Sequence, residues 1–156
     1  DYILAVLSGP EPQRSVFENR LIEEMSKMKA LNFILIRGIA GHLNVPSNIR
    51  VVPFAHKDEM QKLMCEARWV VCRSGYSSLI DLLQLKKKAI VVPTPGMPEQ
   101  EYLAKQVSAL KMFDVADQSG IRFSPDFEPK SIWEGNSPEL NKEKILSRVK
   151  ALINPQ

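Results

Sequence analysis

Six short, apolar, β-branched runs alternate with longer stretches of helical period, and turn residues separate each run from the helix that follows. With no internal repeat to suggest a solenoid, this alternation predicts an α/β fold, a Rossmann-like doubly wound parallel sheet of about six strands. The chain has 156 residues, 44% hydrophobic and 25% charged, which suits a single compact domain. At that size a core forms without disulfide or metal.

The first strand is read at residues 3–7, inside Tyr2-Ile3-Leu4-Ala5-Val6-Leu7. Because it starts at the second residue, the chain is expected to begin at a domain boundary. Further strands follow at 33–37, 49–52, 69–72, 89–92 and 112–115. Helices are expected at 15–28, 57–66, 77–85 and 99–110, with a closing helix at 139–153. The Pro-, Ser- and Asp-rich stretch 119–138 has no clear period and reads as a surface loop. Right-handed crossovers put helices on both faces and every strand's C-terminal end along one edge, where ligands of such sheets bind. Loops 8–14, 54–56, 73–78 and 93–100 lie on that edge.

Each loop admits a chemical and a structural reading. In Ser8-Gly9-Pro10-Glu11-Pro12-Gln13-Arg14, Gly9 lets a phosphate approach the backbone at a helix N-terminus, and Arg14 offers a forked donor. A proline-stiffened turn carrying a surface arginine explains the same residues, and no Walker pattern is present. Arg73-Ser74-Gly75-Tyr76-Ser77-Ser78 packs small donors around one glycine, a natural diphosphate cradle. There Arg73 could meet phosphate or a structural carboxylate. Asp81 lies about one turn into the next helix, within reach of a ribose diol, although an N-capping serine followed by a dipole-favoured acid fits equally well. The Pro93–Glu101 segment places Gln100 and Glu101, good acceptors for sugar hydroxyls, at another helix start.

Composition narrows the alternatives. Lys and Arg total 21 against 18 Asp and Glu, a net charge of +3, far from the dense basic stripe that nucleic acid demands. Lys86-Lys87-Lys88 reads as a solvated turn, with an anionic lipid surface as the alternative. Cys65 and Cys72 fit no zinc or redox spacing and read as reduced core thiols. No apolar run reaches the ~20 residues of a membrane span, and the first residues lack a signal-peptide n-region, so a cytoplasmic setting is expected. His42 reads as a surface histidine. A flavodoxin-like domain would need an aromatic pair to sandwich a flavin, which none of these loops supplies.

Taken together, Trp69-Val70-Val71-Cys72-Arg73-Ser74-Gly75 through Asp81, then Lys88-Ala89-Ile90-Val91-Val92-Pro93 and Glu99-Gln100-Glu101-Tyr102, resemble the C-terminal domain of glycosyltransferase family 28. The resemblance spans most of residues 3–115. It implies the C-terminal half of a GT-B fold, binding a UDP-sugar donor for metal-independent hexosyl or N-acetylhexosaminyl transfer, without a cofactor. By position, Asp81 stands where the family has a ribose-binding Glu. Gln100 and Glu101 stand where it usually has two sugar-binding glutamines, and Phe54, Ala55 and His56 match the loop that pairs with the uracil edge. Gly9, Arg14, Arg73, Ser74, Gly75, Ser77 and Ser78 would surround the diphosphate. The general base and acceptor site would belong to an N-terminal GT-B domain outside this chain, so this part alone would bind and not turn over. Its acceptor could be lipid-linked, which would bring the protein to the inner face of the cytoplasmic membrane. An epimerase of the same architecture and a non-catalytic scaffold subunit are the rival readings.

Overall fold

The computed structural model of the chain describes residues 1–130 together with Ser147, Lys150 and Ala151. The closing helix expected at 139–153 lies outside the described residues except at those three positions. In order, the elements are β1 (Ile3–Val6), α1 (Gln13–Lys27), β2 (Phe33–Ile36), β3 (Ile49–Val52), α2 (Lys57–Glu66), β4 (Trp69–Arg73), α3 (Tyr76–Gln84), β5 (Ala89–Val92), α4 (Pro98–Ala109) and β6 (Asp114–Val115).

One sheet runs β3-β2-β1-β4-β5-β6, and every pairing is parallel. Strands covered on both faces need apolar side chains on both, which is why β2, β4 and β5 are continuous buried runs rather than alternating ones. On one face α1 packs Phe17, Leu21 and Met25 against Ile3, Ala5, Phe33, Leu35 and Trp69. On the other, Leu63 and Met64 of α2, Leu79, Leu82 and Leu83 of α3, and Leu103 and Val107 of α4 cover Leu4, Ile34, Val70, Cys72 and Val91. Each such side chain contributes about 1.5–3 kcal/mol relative to remaining exposed. No helix intervenes between β2 and β3. There Asn48 closes α1 instead, its Nδ2 donating to the carbonyls of Met25, Met28 and Leu31 at 3.1, 3.1 and 3.2 Å.

Several expectations need correction. The last strand is two residues long, because Lys111 takes a left-handed conformation at φ 53° and the chain turns through Met112 and Phe113, which are buried in the core rather than paired. The stretch read as a surface loop sends Ile121 and Phe123 into the α1 face, where the Phe123 ring lies 5.3 Å from Phe33 and 5.8 Å from Trp69. Cys72 is buried, but Cys65 is exposed on α2, whose inward side is Leu63 and Met64. The basic run is built into the fold at the edge remote from the ligand loops. Lys87 donates to the carbonyls of Cys65 and Ala67 at 2.6 and 2.7 Å, satisfying the end of α2 where the helix dipole favours a cation. Lys88 pairs with Glu128 at 3.3 Å.

Candidate functional site

β1 and β4 are neighbours, yet the chain leaves them toward opposite faces, into α1 and α3 respectively. The two loops diverge and open a crevice at the switch point, the place where open parallel sheets hold ligands. Gly9 borders it at φ 99°, a conformation that only glycine adopts without strain. Gly75 begins α3 with extended angles and no side-chain cap. A methyl group built on it would meet nothing within 4 Å. The first intrahelical bond of α3 runs from Leu79 N–H to Gly75 O at 3.0 Å, so the amides of Tyr76, Ser77 and Ser78 have no partner within the helix. Ser77 is exposed and Ser78 half-buried. Neither serine caps the helix, since Gly75 holds the N-cap position.

Arg14 is neither a surface residue nor a free phosphate ligand. It is 5% exposed and lies beside Glu18, itself 4% exposed, with Arg37 at 7% on the far side. Its guanidinium donates to Glu11 at 2.7 Å, to Ser15 at 2.8 Å and to Glu18 at 3.3 Å. Arg37 donates through Nε and Nη2 to the two oxygens of Glu18, the latter at 3.1 Å, and through Nη1 to Gly41 O at 3.0 Å. Hydrogen bonding to Glu18 raises the Arg37 pKa above its ordinary value. The cluster fastens the head of α1 to the end of β2, and Arg14 thereby shapes the Gly9 loop from beneath.

Arg73, at the end of β4, is 1% exposed. Its guanidinium donates to Gln13 O at 3.0 Å, Pro93 O at 3.3 Å and Gln118 Oε1 at 2.6 Å, and it stacks 4.1 Å from the centre of the Phe17 ring. Gln118 Nε2 in turn donates to Gln13 Oε1 at 2.9 Å. Burial lowers the Arg73 pKa to about 10. Of the two alternatives, a structural carboxylate is not found beside it among the described residues, and all three acceptors are neutral. One comes from the first residue of α1, one from just past β5 and one from the segment after β6.

The start of α4 is tied to the same edge. Ser74, fully buried, donates its hydroxyl to Gln100 O at 2.8 Å, and Gln100 Oε1 accepts the Thr94 N–H at 2.9 Å. Ser74 therefore faces the protein interior, and Gln100 spends its oxygen holding the loop. Glu101 accepts the Gly96 N–H at 3.0 Å and lines a cavity of about 800 Å³ with Pro93, Pro95, Lys105 and Gln118. Between α2 and α3, Asp81 and Ala55 line a groove of about 450 Å³ together with Met60 and Met64. Phe54 is 56% exposed beside it in sequence, and His56 is exposed at the start of α2.

Gly9, Gly75, Ser77 and Ser78 thus lie in or just after the two loops that flank the switch point, and Asp81 and Ala55 line a groove between α2 and α3, whereas the guanidinium of Arg14 and the hydroxyl of Ser74 are committed within the protein. Sequence reasoning missed Gln13, Glu18, Arg37, Thr94 and Gln118. The Arg14–Glu18 spacing of four within a helix was an available signal for a side-chain pair; Gln118 had none, being brought to Arg73 across 45 residues.

Comparison with known proteins agrees with this architecture. Residues 13–121 match the Glycosyltransferase family 28 C-terminal domain. The UDP-N-acetylglucosamine–N-acetylmuramyl-(pentapeptide) pyrophosphoryl-undecaprenol N-acetylglucosamine transferase of Sulfurihydrogenibium sp. (strain YO3AOP1) is 30% identical over 147 residues, covering 93% of this chain and 41% of the relative. The chain therefore spans about two-fifths of that relative's length. Among solved structures, MurG of Acinetobacter baumannii superposes with a TM-score of 0.60 at 18% identity, over 98% of this chain and 41% of that one. The glycosyltransferase SnogD of Streptomyces nogalater gives 0.61 at 18%, over 78% and 32%. With the family match covering most of the described fold, this chain belongs to the glycosyltransferase family 28 C-terminal domains.

Proposed function

We propose that the chain is the donor-binding part of a glycosyltransferase and holds a UDP-sugar at the switch-point crevice. The observation that carries the reading is the juxtaposition of an uncapped α3 N-terminus with the groove shared by Ala55 and Asp81. The diphosphate would lie over the amides of residues 76–78, with the Ser77 and Ser78 hydroxyls as further donors and Gly9 and Gly75 allowing close approach. The ribose diol would donate to Asp81. The base would occupy the groove beside Phe54, Ala55 and His56, and the sugar would extend toward Gln100 Nε2 and the second carboxylate oxygen of Glu101. Donors fixed before the reaction begins stabilise the charge that builds on a departing diphosphate, and the reading asks for no metal or cofactor.

Transfer itself would require a companion N-terminal domain bearing the general base and the acceptor site, closing over the donor. The Sulfurihydrogenibium relative is named for transfer to an undecaprenol-linked acceptor; a lipid-linked acceptor at the cytoplasmic membrane face is the corresponding proposal here. Among the described residues no helix is long and apolar enough to cross a membrane; peripheral contact with that face is part of the same proposal.

The test is calorimetric titration of the protein with UDP, ADP and GDP, repeated on Asp81→Ala and Ser77→Ala. Selective UDP binding that Asp81→Ala weakens supports the reading; no binding of UDP at millimolar concentration refutes it. Thermal shift gives a cross-check, because a ligand at about 100 times its dissociation constant stabilises the native state by about 2.7 kcal/mol.

A further inference from the structure

Among the described residues three buried arginines stand at the ligand edge, and the fold treats them differently. Arg14 and Arg37 share the buried carboxylate of Glu18. Arg73, more deeply buried than either, has among the described residues two backbone carbonyls and the Gln118 amide oxygen as its hydrogen-bond acceptors. A buried cation without a counter-charge is costly, and the same fold shows, a few residues away, how such a charge can be neutralised. Two further atoms mark the place. Arg73 Nε and Thr94 Oγ1 are buried with no hydrogen-bond partner among the described residues, and Thr94 Oγ1 would lie 3.7 Å from a methyl group built on Gly9. Unsatisfied polar atoms are few in folded proteins and call for a specific explanation.

We propose that Arg73 is a positioning residue for which the ligand supplies the counter-charge that the described residues do not: a fixed positive charge beside the crevice that selects for the diphosphate by its field rather than by direct contact. This inference rests on the donor-site reading and adds to it the source of charge selectivity. Arg73 immediately precedes Ser74 and Gly75 in the chain, and its guanidinium lies on the α1 face at the end of β4. It cannot swing outward, because Phe17 stacks on it and three separate segments hold its Nη atoms. A charge so fixed in a poorly screened interior acts over several ångströms. Burial lowers its pKa only to about 10, so the guanidinium keeps its charge at neutral pH.

The experiment compares UDP, UMP and uridine on the native protein, Arg73→Lys, Arg73→Met and, as a packing control, Gln118→Met, with circular dichroism to establish that each variant is folded. Arg73→Met is expected to weaken UDP by about thirtyfold, UMP by about fivefold and uridine by less than about twofold, the loss growing with ligand charge. Arg73→Lys restores most of the UDP affinity, and Gln118→Met weakens all three ligands alike. Should Arg73→Met not fold, the native protein still decides the matter through the Arg73 Nε–H resonance. That resonance is expected to move on saturation with UDP and to stay in place with uridine. Equal loss for all three ligands in Arg73→Met, or an unmoved Nε–H at saturating UDP, overturns this inference while leaving the donor site intact. Absence of UDP binding to the native protein overturns both.

Discussion

Glu18 grips Arg37 across 19 residues of sequence, both of its carboxylate oxygens accepting from the one guanidinium while the chain between them forms the rest of α1 and all of β2. The pair is buried, and Arg14 joins it from the preceding turn. Removing the acid leaves two buried cations without their shared anion. Glu18→Gln is therefore expected to destabilise the protein by about 3–5 kcal/mol, measured as a lowered urea midpoint with an unchanged slope. A change under about 1 kcal/mol would mean that water reaches the cluster.

Gly9 and Gly75 border the same crevice for different reasons, and alanine separates them. At Gly9 the positive φ makes any side chain strained, so Gly9→Ala should cost about 1–3 kcal/mol of stability. At Gly75 the backbone is ordinary and the space is open. Gly75→Ala should leave stability within about 0.5 kcal/mol, yet weaken UDP about tenfold by placing a methyl group where the phosphate would lie. Thermal melts paired with UDP titrations check both, and a Gly75→Ala protein that binds UDP normally would count against the proposed phosphate position.

Lys87 closes α2 from the neighbouring turn by two short bonds to its terminal carbonyls. Lys87→Met should lower stability by about 1 kcal/mol, since charge-assisted bonds to otherwise unsatisfied carbonyls are lost. Its UDP affinity should not change, the residue being at the opposite edge of the sheet. Denaturant melts and the same titration report the two quantities separately.

The Cys72 thiol is pushed up to about 12 by burial and, secondarily, by the Asp81 charge, from an ordinary 9.0. Between those values the native state keeps a proton that the unfolded state releases, so stability falls as pH rises. Arg73 acts in the opposite sense. Its native value of about 10 lies below the ordinary 12.5, and above pH 10 the unfolded state is the one that binds more protons. From pH 9 to 10 Cys72 alone costs about 1 kcal/mol and Arg73 offsets about a third of it, so the net loss should be about 0.6 kcal/mol, and Cys72→Ala should remove it. Urea midpoints at pH 8, 9 and 10 measure the slope directly.

The strands were legible because a parallel sheet covered on both faces leaves uninterrupted apolar runs; Phe33–Ile36 and Ala89–Val92 could hardly be anything else. The crevice was legible in outline, since Gly9 and the Arg73–Ser78 turn announce themselves as strand-to-helix loops with small residues. What could not be read was the direction in which each side chain faces. Ser74 and Ser77 are equivalent in composition, yet one bonds inward to Gln100 O and the other is exposed. Arg14 and Arg73 are likewise indistinguishable as letters. Their environments are decided by Glu18 in one case and by Gln118 in the other, and the second of these is long-range and leaves no local pattern. Ile121 and Phe123 were hidden by their polar neighbours, because two inward side chains suffice to pin a segment that otherwise has the composition of a loop.

The sheet order places the earliest strand in the middle: β1 is flanked by β2 on one side and by β4 on the other, Ile3 pairing with both Phe33 and Trp69. As the chain leaves the ribosome, one side of that strand can be matched early, but the other must wait, unsatisfied and apolar, until Trp69 has been synthesised. Distant pairings of this kind slow folding and expose edges prone to association. The crevice between β1 and β4 thus depends on the pairing of greatest sequence separation in the sheet, and the proposed nucleotide site would be absent until β4 has been made.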